Sequence, residues 1–446
     1  MEPARIVEIG PQGELANEAA VELPGMLIPS LLLVPGTASG LVLLGTQSPY
    51  PVTAADSTRM VVFNYDTDLT QHMARALGKP GKGIGSYAGC IGSDNTMRIT
   101  YSTEDWAGNL HQFETLKATM DGDSITGHRI MESMVFAIVG SLAALPDGGI
   151  IMGSSNANMG APMTSTGYIS YLNNNMEADT TYALSYVAPG STDTWNTPMA
   201  PLQTLPLPGG NLLVSGAYWP SFGNDRGAVV QRTGPQGHKL NQFIANTHWP
   251  VEVPALVKAM SFANDGSLYY GQTANWISYA TNGSEEPSMV QVFRLDTGLN
   301  QIGSYTFNGY SDSAFYAVAF VTAEPDGGVV VGGMKRDLRL PDQPVMGWVV
   351  KLGAATFTTG IGEQAHSPFS LYPNPGSTGF RLHLQQGVPG GSLLLHDAQG
   401  RQVLKQPLGG TEASVHVPGL APGLYLATVV NSQGVPLHTM RWSKVE

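Results

Sequence analysis

Nucleophiles, acid–base pairs and metal sites are built from thiols, imidazoles and carboxylates, and in this 446-residue sequence those groups are scattered. The one cysteine, Cys90, reads as a small buried apolar group, and a single thiol excludes an intramolecular disulfide. Neither HExxH nor CxxC occurs, so no zinc site is predicted. A GxSxG elbow, a Walker loop and a dinucleotide fingerprint are also absent. Asp121 and Asp123, in the run MDGDS, stand at calcium-like spacing, but the ligands that should follow are missing and the run reads as a turn. Glu132, Asp225 and Glu252 fall in connections from which they could reach a central cleft. Two facing carboxylates would suffice there for glycoside hydrolysis, although the simpler reading of each is a solvated loop residue. No catalytic residue, metal or cofactor is assigned.

Binding asks less of a sequence than catalysis. Trp195, Trp219, Phe222, Trp249, Trp276 and Tyr279 lie in long segments beside Asn and Asp, as does His248. Rings in that setting stack on a sugar or enter a protein interface, or else they pack between layers of the fold. Which of these holds depends on the elements that carry them.

Those elements repeat. An apolar strand, a Pro/Asp/Gly turn and a second apolar strand ending in Gly recur as LLLVPGTASGLVLLG (31–45), ALPDGGIIMG (144–153), LPLPGGNLLVSG (205–216), FANDGSLYYG (262–271) and AEPDGGVVVGG (323–333). A degenerate copy occupies residues 91–102. The last turn positions, Gly40, Asn95, Gly149, Gly210, Gly266 and Gly328, are separated by 55, 54, 61, 56 and 62 residues. A second hairpin follows each, as in VVFNYDTDL (61–69) and VQVFRLDTGL (290–299), and an extra copy, RIVEIGPQGEL (5–15), precedes the first full unit. Asp-Gly and Gly-Gly supply the positive φ of tight hairpins, and Asp or Asn can bond its own backbone.

Four antiparallel strands repeated six times predict a β-propeller, in which each sheet hides both faces against its neighbours. Six blades are preferred, with seven as the alternative. The leading segment, residues 5–22, lacks a first hairpin and is expected to add a strand to the last unit, 314–360, and so close the ring. Short turns then lie at one end of the ring. The long segments, and with them the aromatic residues named above, lie at the other.

Composition agrees with many short strands. Charged residues make up 13% of the chain, Gly (54) and Pro (31) approach a fifth, and hydrophobic residues make up 42%; an average soluble protein is about 25% charged. Wholesale disorder is excluded, and no apolar stretch nears the roughly 20 residues that cross a bilayer. The net charge of -12 divides into five basic and four acidic residues in 361–446 and -13 in the remainder. An acidic surface without a basic run repels phosphate backbones, so nucleic acid is not an expected partner.

After Gly360 the repeat stops. A linker, 361–370, leads into residues 371–446, where alternating apolar residues between regular turns predict a small Ig-like antiparallel β-sandwich. Its landmarks are Tyr372-Pro373-Asn374-Pro375, then Asp397, Gly400 and Arg401 with Val403, then Leu420, Gly423 and Tyr425, and finally Lys444-Val445. As residues alone, Pro373 and Pro375 stiffen an entry strand, Gly400 permits a hairpin and Tyr425 packs in the core. In this order they resemble the type A C-terminal sorting domain of cargo of the type IX secretion system of Bacteroidota. Residues 311–333, SDSAFYAVAFVTAEPDGGVVVGG, likewise resemble the DGG-type propeller repeats of secreted bacterial proteins, a resemblance that covers residues 4 to about 360.

The sorting resemblance implies Sec-dependent passage to the periplasm and export across the outer membrane. It also implies removal of the tail within roughly residues 360–372 and attachment to surface lipopolysaccharide or release. The chain opens MEPARIVEIG, without the basic flank and apolar run of a secretory leader, and the expectation is that the leader has been trimmed. The whole is therefore expected to be an all-β, secreted or cell-surface propeller (1–360) with a sorting tail that engages the type IX machinery and no transmembrane segment. It would bind a glycan or surface protein without catalysis. A propeller polysaccharide hydrolase and a structural cell-surface protein are the alternatives.

Overall fold

The computed structural model describes residues 4–10, 14–21, 26–34, 40–49, 59–77, 83–104, 111–133, 136–158, 164–184, 199–218, 227–245, 251–276, 287–340, 345–357, 369–372, 376–384, 387–397, 399–434 and 436–445. The chain divides into two units, Met1–Thr358 and Thr359–Glu446.

In the first unit a hairpin, β1 (Ala4–Ile9) and β2 (Leu15–Val21), precedes six antiparallel sheets. Blade 1 is β3 (Met26–Val34), β4 (Leu41–Pro49), β5 (Arg59–Tyr65) and β6 (Gln71–Leu77); blade 2 is β7 (Gly83–Ile91), β8 (Met97–Glu104), β9 (His111–Ala118) and β10 (Ser124–Ser133). Blade 3 comprises β11 (Phe136–Ala144), β12 (Ile150–Asn158), β13 (Thr164–Leu172) and β14 (Ala178–Ala183), and blade 4 comprises β15 (Met199–Pro206), β16 (Leu212–Tyr218), β17 (Gly227–Thr233) and β18 (Lys239–Ile244). In blade 5 the first strand is broken into β19 (Glu252–Pro254) and β20 (Met260–Phe262), both paired with β21 (Leu268–Ala274), which continues to β22 (Met289–Leu295) and β23 (Gln301–Asn308). Blade 6 has three strands, β24 (Ala314–Ala323), β25 (Val329–Asp337) and β26 (Val345–Leu352).

The first-hairpin turns set the register of blades 2, 3, 5 and 6. Asp94, Asp147, Asp265 and Asp326 each accept, through Oδ1, the amide two residues on: Thr96, Gly149, Ser267 and Gly328. The residue between is left-handed in every case, at Asn95 (φ 56°), Gly148 (90°), Gly266 (82°) and Gly327 (81°). In the two DGG turns the left-handed residue is thus the first glycine. Second-hairpin turns use Leu69, Gly122, Met176, Gly237 and Leu299 at φ between 61° and 79°. A left-handed Leu or Met costs about 1–2 kcal/mol, yet Leu69, Met176 and Leu299 are all buried. Burying such a side chain stabilises by about 1.5–3 kcal/mol, so burial wins.

Successive residues of one strand face different neighbours, as the period of two requires. Ile150 and Met152 pack with Ala88, Cys90 and Phe113 of blade 2, whereas Ile151 packs with Leu212, Val214 and Val229 of blade 4. Val34, Leu44 and Val62 of blade 1 meet Met97, Ile99 and Leu116 of blade 2, and a larger cluster joins blades 4, 5 and 6 through Val230, Phe243, Tyr270, Phe293, Tyr316 and Val331. First strands of neighbouring blades are bonded to one another: the amides of Val139, Met260 and Ala323 donate to Ser86 Oγ, Gln203 Oε1 and Ser261 Oγ at 2.8, 2.7 and 3.0 Å. Sheets apolar on both faces, with their first strands converging on an axis, make a β-propeller.

The leading segment departs from expectation. β1 pairs with β2 in a sheet of its own rather than with the last blade. Its inner face, Ile6, Ala19 and Val21, covers Leu41, Leu43, Val61, Phe63 and Ala74 of blade 1, the face turned away from blade 2. A local hairpin reaches that face with little loop to close. Among the described residues no strand pairs with the outer edge of blade 6, and Val345, Met346, Val349 and Val350 are exposed on β26.

The second unit is a β-sandwich. One sheet holds β27 (Phe369–Tyr372), β28 (Gly379–Leu384) and β31 (Glu412–His416), and the other β29 (Ser392–His396), β30 (Gln402–Pro407), β32 (Gly423–Val430) and β33 (Pro436–Lys444). Trp442 is fully buried between them, 4.9 Å from Phe380 and 5.8 Å from Tyr425. No helix among the described residues is long and apolar enough to cross a membrane.

Candidate functional site

Connections from second to third strands, and the crossovers between blades, emerge at one end of the ring. At blades 5 and 6 that end is built from Trp276 after β21, from α1 (Gly309–Asp312) between β23 and β24, and from the segment after β25. The Asn308 side chain caps α1 by accepting the Tyr310 amide at 3.0 Å, which fixes where Tyr310 and Asp312 stand. Tyr310 is 41% exposed, and its hydroxyl accepts from Asn275 Nδ2 at 3.0 Å.

A row of polar groups continues inward. Tyr316 Oη donates to Asp312 Oδ2 at 2.6 Å, and Lys335, its register partner on β25, places Nζ 5.0 Å from the ring centre. Beside them Asp337 Oδ1 accepts from Arg339 Nε at 2.9 Å and Oδ2 from Nη2 at 2.6 Å. Burial, then the Asp312 carboxylate, pushes the Tyr316 phenol above its ordinary range, with Lys335 opposing. Hydrogen bonds from Arg339 hold Asp337 at about 2. Neither the phenol nor Asp337 therefore titrates near neutral pH, where a general base would need to. The row offers fixed donors and acceptors instead.

Of the aromatic residues singled out in the sequence, Trp276 is half-buried with its ring 6.0 Å from that of Phe315. Trp195, Trp219, Phe222, Trp249 and Tyr279 lie outside the described residues, with His248 and Asp225. Glu132 sits on β10, the edge of blade 2 farthest from its first strand, while Glu252 is buried on β19 of blade 5. Asp123 pairs with Arg75 Nη2 at 2.8 Å. Among the described residues no group of three or more His, Cys, Asp or Glu could hold a metal ion. Cys90 is buried, which pushes its thiol up to about 12 despite the nearby Arg98. Tyr310, Asp312, Tyr316, Lys335, Asp337 and Arg339 were not singled out. The signal for them was the cap-like Asn308 before GYSD and the cation-rich MKRD run.

In the tail, Asp397 closes the turn between β29 and β30. Its Oδ1 accepts the amides of Gln399 (3.0 Å) and Arg401 (2.9 Å), and Oδ2 accepts Arg401 Nε at 2.7 Å. Burial raises its pKa, but these bonds outweigh that and lower it. Gly400, at φ 77°, is the left-handed residue of the turn. Gly423 opens β32 at φ 159°, and Tyr425 Oη donates to Ala421 O at 2.7 Å, so this ring is both packed and tethered. Gly376 bridges Lys444 in parallel, donating to Ser443 O at 2.9 Å and accepting the Val445 amide at 3.0 Å, while Lys444 Nζ donates to Ser377 O. The entry of the sandwich is thereby fastened to its exit. Tyr372 ends β27; Pro373, Asn374 and Pro375 lie outside the described residues.

Residues 370–440 match the family of secretion system C-terminal sorting domains. The tail is a sorting domain. Such a domain implies handling by the type IX secretion system and a secreted or outer-membrane surface location. No curated protein matches the sequence. Among solved structures, a protein of unknown function from Dyadobacter fermentans aligns over 74% of this chain and 100% of its own, at 9% identity and a TM-score of 0.48. An α-L-arabinanase from Penicillium chrysogenum, in complex with arabinobiose, aligns over 75% and 100% at 12% identity and 0.40. A mutant sialidase from Trypanosoma rangeli with trans-sialidase activity aligns over 100% and 88% at 9% and 0.40. At these levels of likeness no argument about activity passes from them to this chain.

Proposed function

We propose that the propeller is a non-catalytic binding module displayed at the surface of a bacterium of the Bacteroidota, delivered by a type A sorting tail of the type IX system. Its ligand is a glycan or a surface protein, engaged at the long-connection end of blades 5 and 6. The observation that carries this reading is exposed Tyr310 standing beside the bonded row of Asp312, Tyr316, Lys335, Asp337 and Arg339. An accessible ring with fixed hydrogen-bonding groups at its side suits a hydroxyl-rich surface, where stacking and directed bonds act together. The DGG-like repeat and the aromatic content of the other long segments agree with it.

The test is a glycan-array and outer-membrane pull-down screen with the full chain, repeated with Tyr310→Ala. Saturable binding that weakens at least tenfold in the variant supports the reading. Release of new sugar ends from a polysaccharide, or absence of any retained glycan or protein, overturns it.

A further inference from the structure

β26 is composed as an interior strand but stands at an edge. Its sequence, VMGWVVKL, follows the plan of the third strands of blades 4 and 5, GAVVQRT and MVQVFRL, with Lys351 where they carry Arg232 and Arg294, the last residue but one. In those two strands every residue except that arginine is buried, and each strand lies between a second and a fourth. In β26 only Leu352 is buried and only Trp348 half-buried. Among the described residues no fourth strand covers it.

Edge strands are normally blunted by charge or proline, because their unpaired amides and carbonyls accept another strand. The outermost strands of blades 1 to 4 follow that rule, with Arg75, Arg129, Asp179 and Lys239. The stretch 345–350 of β26 carries neither charge nor proline. Near its centre stands Gly347, where an added Cβ would meet nothing within 4 Å. No contact within the chain calls for glycine there, and glycine inside a strand commonly marks the close approach of another backbone. Charge points to whose backbone that is. In 314–352 four acidic and four basic residues cancel, while the whole chain carries -12. Two copies of the chain repel one another across most of their surface, and least here.

We infer that the chain forms a two-fold dimer in which β26 pairs with β26 of a second copy, antiparallel and centred on Gly347. A two-fold pair of strands sets one residue against its own copy. With Gly347 on the axis, Val345 meets Val349 of the second copy on one face and Met346 meets Trp348 of the second copy on the other, while Lys351 lies beyond the start of the facing strand. Apolar and aromatic cross-strand pairs stabilise a sheet, and each blade 6 gains its fourth strand. The pairing closes on itself, so assembly stops at two. This contact is independent of what the long-connection end binds.

Sedimentation equilibrium of the full chain across a concentration series should show a reversible dimer. Gly347→Glu places its side chain in open space, so it should keep the melting temperature, yet it sets two carboxylates against each other on the axis and should raise the dimer dissociation constant at least tenfold. Gly347→Cys should form an intermolecular disulfide on oxidation, since directly opposed residues stand within reach of one another, and Cys90 is buried away from the reaction. That cross-link also carries the test should Gly347→Glu fail to fold. A wild-type chain that stays monomeric, a dimer indifferent to Gly347→Glu, or absence of the Gly347→Cys cross-link overturns the inference.

Discussion

Asp94 neutralises the guanidinium of Arg98, which is fully buried beside blade 3, through bonds of 3.0 and 3.1 Å to Nη2. Lys117 reaches the same carboxylate at 2.9 Å, and both cations also bond Asn174 Oδ1 on the neighbouring blade. One anion thus serves two cations across a blade interface.

Replacing Asp94 with Asn should therefore cost about 1–3 kcal/mol, between the values for an exposed and a buried pair, because Arg98 is buried while Asp94 is partly solvated. Urea unfolding would measure it. Burial raises the Asp94 pKa, but bonds from Thr96, Lys117 and Arg98 outweigh burial and lower it. The folded value lies below the unfolded value of about 3.9, so the stabilisation is complete above that pH and is lost as pH falls through the folded value. The difference between wild type and Asp94→Asn should accordingly narrow in acid.

Cys90 is expected to resist thiol reagents. With the thiol pushed up to about 12 by burial, little thiolate exists at pH 8, and labelling should run at least a hundredfold slower than for a free cysteine of pKa about 8.5. Addition of guanidinium chloride should bring it to the free rate. Fast labelling of the folded chain would contradict the burial.

Leu299→Gly opposes two effects. It relieves the left-handed strain at φ 61° but removes a side chain from the core of blades 4 to 6. Relief of about 1–2 kcal/mol against a loss of about 2–5 predicts net destabilisation of about 0–4 kcal/mol, centred near 2. A gain in melting temperature would show that strain outweighs packing.

Deleting residues 371–446 should keep the protein out of the culture medium and off the cell surface in a type IX-competent host. Asp397→Ala, which removes three bonds from one turn, should reduce export in the same direction. Immunoblots of cell, surface and medium fractions read both.

The repeat was legible because its turns constrain residue type. In four of the six copies an Asp accepts the amide two residues on and a Gly or Asn stands between, which even the degenerate copy at Asp94-Asn95 satisfies, while the copy at 205–216 turns on left-handed Gly209 and Gly210. Left-handed Met176 and Leu299 were not legible, since what stabilises them is a core contributed by other strands. Pairing of the leading segment was also hidden: β1 suited a strand edge of the last blade as well as it suited β2, and the packing of the hairpin on blade 1 through Ile6, Ala19 and Val21 exists only in the folded chain. At the candidate site, Trp276 was visible by type. The row from Asp312 to Arg339 was not, because the register of Tyr316 against Lys335 and the cap on α1 exist only in the folded chain.

The bridge from Gly376 to Lys444 has a consequence for how the tail comes into being. A polypeptide stopped anywhere before Lys444 lacks the piece that latches the sandwich at its beginning, so a broken or unfinished product loses that fastening. The address label is thus held shut by its own last residues.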